Sequence, residues 1–191
     1  HFFSAPEIMK MTEVSGLTIK EVFQELKKAG QRTMPGGGSE ILTNEIKSKI
    51  SRFKPKNSVD QWTDVHRNAH DVGIYTTATM MYGHLEDDSD IIETLSHIRK
   101  VQDEAINSKP AKFTAFIPWS FKKDNTALGK KITKEAGPNQ YLRIIAISRI
   151  FLDNINHIQA SWFSEGYKTG QIALSFGADD FGGTLFDENV M

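Results

Sequence analysis

The sequence predicts an α/β protein with a parallel sheet, because strand-like and helix-like segments alternate along its 191 residues. The strand-like segments are short apolar runs rich in β-branched residues, and a polar loop follows each one. Six segments have this form: residues 1–3, 32–34, a run that begins at Tyr75, 113–118, 157–161 and 178–181. An open doubly wound sheet and a barrel both fit six strands. A closed eight-stranded barrel takes about 250 residues, and this chain of 191 residues is shorter than that by roughly two strand–helix units.

Helical patterns fill the intervals between these strands. In residues 18–29, Ile19, Val22 and Leu26 fall on one helical face, and a glycine follows as a stop signal. Ser58 and Gln61 have capping-box spacing, which predicts the start of another helix. Further helices are predicted at residues 41–50, 89–105, 140–152 and 169–176. Loops are predicted at residues 4–7 and 119–138, and Pro118 should end the ladder of its strand.

Composition and charge exclude several classes of protein and several kinds of site. Of the residues, 39% are hydrophobic and 25% are charged, and the formal net charge is −1. No basic excess indicates a nucleic-acid or membrane partner, and no apolar run approaches the roughly 20 residues of a membrane span. We find no signal-peptide pattern, which favours a cytoplasmic location. The chain contains no cysteine, which excludes disulfides, a thiol nucleophile and an iron–sulfur cluster held by this chain.

A glycine-rich stretch at residues 35–40, here named the glycine loop, lies between a predicted strand and a predicted helix. Glycines allow close backbone approach, and free N–H groups at such a place bind carboxylate or phosphate. The stretch is neither a P-loop nor a dinucleotide fingerprint, since the lysine and the spacing are missing. A tight turn in which Glu40 offsets a helix dipole is an equally good interpretation.

A second candidate site, residues 82–86, follows the predicted strand that begins at Tyr75. In parallel α/β folds, side chains just past the carboxyl end of a strand are the ones that meet a ligand. His84 at this place can hydrogen-bond a ligand or move a proton. The structural alternative is a histidine bonded to a neighbouring backbone group. The acids that follow, at positions 87, 88 and 90, fit better as solvated residues at a helix start.

Other chemical signals in the sequence are weaker. His66 and His70 have the i, i+4 spacing of zinc ligands, but Arg67 stands where the zincin motif has glutamate, so no metal site is predicted. Trp119 and its loop can stack on a base or cover a sugar, or form a hydrophobic lid. Gln159 ends another predicted strand. The residues alone therefore predict an α/β protein that binds a polar small molecule at the carboxyl ends of its strands.

Taken together, these loops resemble one enzyme family. The matching stretches are Phe116-Ile117-Pro118-Trp119-x-Phe121 with Asn125-Thr126, residues 35–42, 76–84, 141–143, 148–149, 152–155, 159–162 and 177–182, and Glu188-Asn189. They resemble the radical S-adenosylmethionine (radical SAM) enzymes of the futalosine route to menaquinone. The Trp after Ile117-Pro118 and the run at residues 76–81 favour the branch that cyclises dehypoxanthine futalosine. The aminofutalosine-forming branch shares most of the pattern, and the deazaflavin-forming FO synthase is a more distant relative.

The resemblance implies a fold and a chemistry. It implies a TIM-like (β/α) barrel, of which strands three to eight are present, in a single domain whose N-terminal, cluster-binding part is absent from residues 1–191. A four-iron–four-sulfur cluster in this family reductively cleaves S-adenosylmethionine, and the adenosyl radical abstracts a hydrogen from the substrate ribose. The carbon radical then closes a ring, which gives cyclic dehypoxanthine futalosine.

One departure from the family is severe. The Cys-x-x-x-Cys-x-x-Cys loop is absent, so this chain cannot hold the cluster and is expected to be inactive by itself. Since the sequence begins at His1 inside a strand-like run, we interpret it as the C-terminal part of a longer enzyme. A barrel without its first two strands has open sheet edges, which predicts self-association.

The resemblance and the strand-end positions together suggest ligand-binding residues. The candidates for the S-adenosylmethionine end of the site are Gly37, Gly38, Glu40, Tyr82 and His84, and those for substrate contact are Glu7, Trp119, Asn125 and Gln159. Two other interpretations remain open. One is a complete small α/β enzyme that uses His84 and Glu86 as acid and base, and the other is a non-catalytic module that keeps the ligand pocket.

Overall fold

The fold is described by a computed structural model that covers residues 2–133 and 135–183. Within these residues four parallel strands form one sheet in the order β1-β2-β3-β4. The strands are β1 (Thr33–Met34), β2 (Tyr75–Tyr82), β3 (Phe113–Ser120) and β4 (His157–Ile158). Helices precede, separate and follow the strands, which confirms the predicted α/β class with a parallel sheet.

Eight α-helices lie in the described part of the chain. They are α1 (Ala5–Ser15), α2 (Ile19–Lys28), α3 (Asn44–Ile50), α4 (Val59–Asp71), α5 (Asp88–Ser108), α6 (Pro138–Phe151), α7 (Trp162–Glu165) and α8 (Tyr167–Ala173). The predicted cap of α4 is confirmed, because Ser58 Oγ accepts the Gln61 N–H at 3.1 Å. No helix among the described residues is long and apolar enough to span a membrane.

The two faces of the central strands differ in burial. On β2, the alternate residues Thr76, Ala78, Met80 and Tyr82 are buried. Helices α4 and α5 pack against β2, and α6 packs against β3, so this is the helix-covered face. The opposite face carries half-buried side chains that pair in register across the two strands. We name it the open face, formed by Thr77, Thr79, Met81, Ala115, Ile117 and Trp119.

The predicted count of six strands is not confirmed. Residues 178–181 contribute one parallel bridge, between Gln159 and Asp180, rather than a strand. Phe2 and Phe3 belong to no strand, and the φ of 56° at Phe3 lies outside the β region. His1 lies outside the described residues. A segment that forms one bridge, or none, gains no ladder of hydrogen bonds to hold it extended.

The prediction that Pro118 ends its ladder is wrong, because β3 continues to Ser120. The Phe116 carbonyl accepts the Gln159 N–H at 2.9 Å, so Pro118, two residues further on, also faces β4. There β4 has already ended, and the missing N–H of proline costs no ladder bond. The carbonyl of Pro118 accepts the hydroxyl of Ser161 at 2.8 Å instead. The long loop after β3 therefore begins at residue 121.

The predicted loop at residues 4–7 is instead the start of α1. Ser4 is the N-cap, and the Glu7 carboxylate accepts the Ser4 backbone N–H at 2.8 Å. Pro6 lies in the first turn, where its missing N–H has no helical partner to lose. Ser4 and Glu7 have the same spacing as Ser58 and Gln61 and form the same motif.

Candidate functional site

A cavity of about 530 Å³ opens at the carboxyl ends of β2 and β3. We name it the groove, and it is lined by Glu40, Lys47, Met81, Phe121, Leu128 and residues 50–57. Met81 belongs to the open face, so the groove and the open face are continuous. The sheet therefore places a concave, partly polar surface where parallel α/β proteins bind ligands.

The glycine loop is fixed to β2 rather than free. The Gly36 N–H donates to Thr77 Oγ1, and Thr79 Oγ1 donates to the Gly36 carbonyl, both at 3.0 Å. The buried Ser39 hydroxyl donates to the Thr79 carbonyl at 2.6 Å. A Cβ on Gly36 would lie 2.5 Å from the Thr77 carbonyl oxygen, so a side chain does not fit there. The hydroxyls of Thr77 and Thr79 thus set the position of the whole loop.

Glu40 ends the glycine loop and lines the groove. It adopts a left-handed backbone with φ 43°, and its side chain is 38% exposed. The buried Lys47 donates to the Gly38 carbonyl at 2.6 Å and lies 3.6 Å from Glu40 Oε2. Burial lowers the pKa of Lys47, and the Glu40 carboxylate opposes that shift. Sequence reasoning missed Lys47, because a lysine in a short lysine-rich helix has the pattern of an exposed charge.

The first turn of α1 lies against the glycine loop. A Cβ on Gly38 would lie 2.6 Å from Pro6 Cδ, and one on Gly37 would lie 3.1 Å from Ser4 Cβ. The structure therefore brings Gly37, Gly38 and the α1 start together. Glu7 itself is exposed, and its hydrogen bond to the Ser4 side chain lowers its pKa.

The turn after β2 is held by its own side chains. Glu86 accepts the backbone N–H groups of Gly83 and His84, the latter at 3.0 Å. His84 Nε2 lies 3.0 Å from the Met81 carbonyl, and His84 Nδ1 accepts the Leu85 N–H at 2.7 Å. The side chains of His84 and Glu86 are 0% and 3% exposed. This geometry matches the structural alternative for His84 and gives neither group access to an external substrate.

Burial lowers the pKa of His84, although the neighbouring Glu86 carboxylate opposes the shift. His84 Nδ1 also lies 3.0 Å from Glu86 Oε2, so the ring contacts a backbone N–H, a backbone carbonyl and a carboxylate, all within the turn itself. Tyr82 is fully buried on the helix-covered face, and burial raises its pKa. Its place in a cofactor site stays a prediction.

The other predicted substrate residues are spread along the strand ends. Trp119 pairs in register with Met81 and is half-buried on the open face. Gln159 is half-buried after β4, and a Cβ on Gly182 would lie 2.9 Å from its Nε2. Asn125 is exposed in a turn with φ 58°. The structure thus places Trp119 beside the groove and leaves Asn125 at the surface.

The described residues contain no group of three or more side chains that could hold a metal ion. His66 Nδ1 and His70 Nε2 both contact the Thr76 hydroxyl, at 3.1 and 2.8 Å, inside the core. Phe113 packs against both rings, with centroid distances of 5.1 and 5.0 Å. The pair therefore ties α4 to β2 and is part of the packing.

Comparison with known families agrees with this architecture. The family model of the Radical SAM superfamily matches residues 4–98, and that of the CofH/MqnC C-terminal region matches residues 110–191. Together the two models match most of the chain, which is therefore similar to radical SAM enzymes over most of its length. A solved structure of HydG, a maturase of the FeFe-hydrogenase, has the same fold, with a TM-score of 0.67 and 18% sequence identity. That similarity covers 85% of this chain and 35% of HydG.

Curated relatives of this chain carry three different names. A "Cyclic dehypoxanthine futalosine synthase" of Halalkalibacterium halodurans is 42% identical, over 100% of this chain and 49% of that protein. A "5-amino-6-(D-ribitylamino)uracil--L-tyrosine 4-hydroxyphenyl transferase" of Methanococcus maripaludis is also 42% identical, over 100% of this chain and 52% of its own. An "Aminodeoxyfutalosine synthase" of Thermus thermophilus is 35% identical, over 99% and 50%. The chain spans about half the length of these relatives.

These findings confirm the resemblance to radical SAM enzymes of the futalosine route. They leave open which reaction the chain serves, because the transferase is as similar as the cyclic dehypoxanthine futalosine synthase. Two motif residues of the resemblance, Glu188 and Asn189, lie outside the described residues.

Proposed function

We propose that this chain is the C-terminal, ligand-binding part of a single-domain radical SAM enzyme that cyclises dehypoxanthine futalosine to cyclic dehypoxanthine futalosine. The 42% identity to the Halalkalibacterium halodurans protein of that name supports this, and Trp119 after Ile117-Pro118, with the run at residues 76–81, favours the cyclising branch. The reaction belongs to menaquinone biosynthesis.

The geometry of the groove supports a polar small-molecule ligand. The partly exposed Glu40 carboxylate accepts hydrogen bonds from an ammonium group or ribose hydroxyls of S-adenosylmethionine, and Gly37 and Gly38 allow close backbone approach. Trp119 offers an aromatic surface on the open face, and Gln159 offers an amide at the end of β4. These groups bind and orient the ligands. Glu7, in the first turn of α1, and Asn125, in the loop after β3, contact the substrate.

The residues of this chain do not fit the four-iron–four-sulfur cluster of the family. The sequence has no cysteine, and the described residues hold no alternative group of ligands. We therefore assign no reaction step to this chain alone. In the proposed enzyme, residues that precede this chain supply the cluster, and the chain by itself is inactive.

The first experiment reads the coding sequence upstream of His1 and then expresses the whole reading frame under anaerobic conditions with iron and sulfide. We expect an in-frame Cys-x-x-x-Cys-x-x-Cys stretch, and turnover of dehypoxanthine futalosine that depends on S-adenosylmethionine. Conversion only of the substrates of the aminodeoxyfutalosine synthase or of the transferase would instead assign the chain to one of those reactions. Translation that begins near His1, with ligand binding but no turnover, would favour the binding module.

The role of Glu40 can be tested in the same enzyme. Replacing Glu40 by Ala removes charge-assisted hydrogen bonds, each of which is worth about 1.5–3 kcal/mol, so kcat/KM should fall by about tenfold or more. Glu45→Ala is the matched control, because Glu45 lies on the adjacent helix with its side chain 76% exposed and an ion pair to Lys49. Equal kcat/KM values for the Glu40→Ala and Glu45→Ala variants would remove Glu40 from the site.

A further inference from the structure

The carboxylate of Glu165 fixes the end of β3. Its Oε1 atom accepts the Ser120 backbone N–H at 3.0 Å, the Ser120 hydroxyl at 2.6 Å and the Ser164 hydroxyl at 3.1 Å. Lys122 Nζ lies 3.9 Å from the same atom and donates to the Ser120 hydroxyl at 2.9 Å. The Glu165 side chain is only 4% exposed, so no solvent replaces these contacts.

A second contact fixes Pro118, which lies two positions before Ser120 on β3. Ser161, which is fully buried, donates its hydroxyl to the Pro118 carbonyl at 2.8 Å. Its own backbone N–H donates to the buried Tyr141 hydroxyl at 2.7 Å, which holds Ser161 in place. The backbone is therefore tied down on both sides of Trp119.

These contacts act on Trp119 from the opposite face of the sheet. Pro118 and Ser120 are buried on the helix-covered face, whereas Trp119 lies between them on the open face and pairs with Met81. Trp119 has no ladder partner on β4, because β4 ends at Ile158. We propose that Glu165 is a positioning residue that sets the orientation of the Trp119 indole at the groove. This inference rests on the proposed function, in which the open face binds the substrate.

The experiment labels the product of the whole reading frame with 5-fluorotryptophan and records fluorine NMR spectra. Residues 1–191 contain three tryptophans, and the resonance that disappears in a Trp119→Phe variant is that of Trp119. We expect Glu165→Ala to move the Trp119 resonance by more than its line width and to increase its shift between H₂O and D₂O. Glu165→Gln keeps an acceptor oxygen at the same place and should restore the wild-type resonance.

The matched control is Glu104→Ala. Glu104 Oε2 lies 2.7 Å from Arg67 Nε, so this variant also removes a close ion pair, but Glu104 lies on α5 away from β3. A Trp119 resonance that is unchanged in Glu165→Ala, or that moves equally in Glu104→Ala, would overturn the proposal. If Glu165→Ala does not fold, Glu165→Asp replaces it, because a side chain shorter by one methylene cannot reach both donors of Ser120. An unchanged Trp119 resonance in Glu165→Asp would equally overturn the proposal.

A ligand titration separates this inference from the proposed function. Dehypoxanthine futalosine is added to the labelled product of the whole reading frame, and the Trp119 resonance is followed. A resonance that responds to Glu165→Ala but not to the ligand would contradict substrate contact by Trp119 and leave the positioning role of Glu165 intact. A resonance that responds to the ligand but not to Glu165→Ala would contradict the positioning role of Glu165 and leave substrate contact by Trp119 intact.

Discussion

Replacing Gly36 by Ala should release the glycine loop from the sheet. The added Cβ would lie 2.5 Å from the Thr77 carbonyl oxygen and 2.8 Å from Ala78 Cα, and both are backbone atoms of the central strand. The loop must therefore move, since β2 is held by neighbouring strands on both sides. The move breaks the hydrogen bonds of Gly36 with the hydroxyls of Thr77 and Thr79.

The size of the effect follows from these contacts. Overpacking costs about 1–3 kcal/mol, and each of the two broken hydrogen bonds costs about 1 kcal/mol. The smaller conformational freedom of alanine in the unfolded chain returns about 0.4–1 kcal/mol. We expect a net loss of about 3 kcal/mol in the free energy of unfolding, which lowers the urea midpoint by about 1.5 M.

Urea unfolding followed by circular dichroism measures this change, and hydrogen exchange of the amides at residues 36–40 localises it. Gly137→Ala is the matched control, because a Cβ there meets nothing within 4 Å and its φ of −96° suits alanine. Gly137 is the N-cap of α6, where alanine caps less well, and the smaller freedom of alanine in the unfolded chain offsets that loss. That variant should stay within about 0.5 kcal/mol of wild type. A Gly36→Ala midpoint equal to that of Gly137→Ala would refute the argument that close backbone approach fixes the loop.

Four further predictions follow from the packing. Burial lowers the pKa of His70 to about 3 and that of His66 well below its usual value, so below pH 6.5 only the unfolded chain gains their protons. Between pH 7.5 and 5.5 the His70 share of the resulting loss of stability should be about 1.4 kcal/mol, and His70→Asn should lack it; an equal fall of the urea midpoint in wild type and His70→Asn would contradict this. Thr94→Val leaves the buried Leu42 N–H without its acceptor at 2.8 Å and should cost about 1–3 kcal/mol, whereas Thr94→Ser, which keeps the hydroxyl, should cost less; equal losses would be evidence against it. Ser58→Ala should cost about 1 kcal/mol in the same assay and Ser58→Asn little, because asparagine also caps; a neutral Ser58→Ala would show that the cap adds nothing. The four-stranded sheet of residues 2–133 and 135–183 does not close into a barrel, which predicts self-association; light scattering measures it, and a monomer at all concentrations would count against it.

Features set by short sequence spacings could be read from the sequence. The cap at Ser58, the amphipathic face of α2 and the alternation of strands and helices depend on residues three or four positions apart, or on the order of segments. The absence of cysteine and the family motifs are likewise properties of the sequence alone. They were enough to predict the fold class and the resemblance to radical SAM enzymes.

Only the tertiary structure decided which polar groups are buried and what they contact. Lys47 has the pattern of an exposed lysine, but the glycine loop covers it. Glu165 meets Ser120 across 45 residues of sequence, a separation that no local pattern encodes. Tyr82 follows the alternation of β2 onto the helix-covered face, although it stands at a strand end where a ligand residue was predicted. Burial and partner choice depend on contacts between distant segments, and these form only when the helices pack on the sheet.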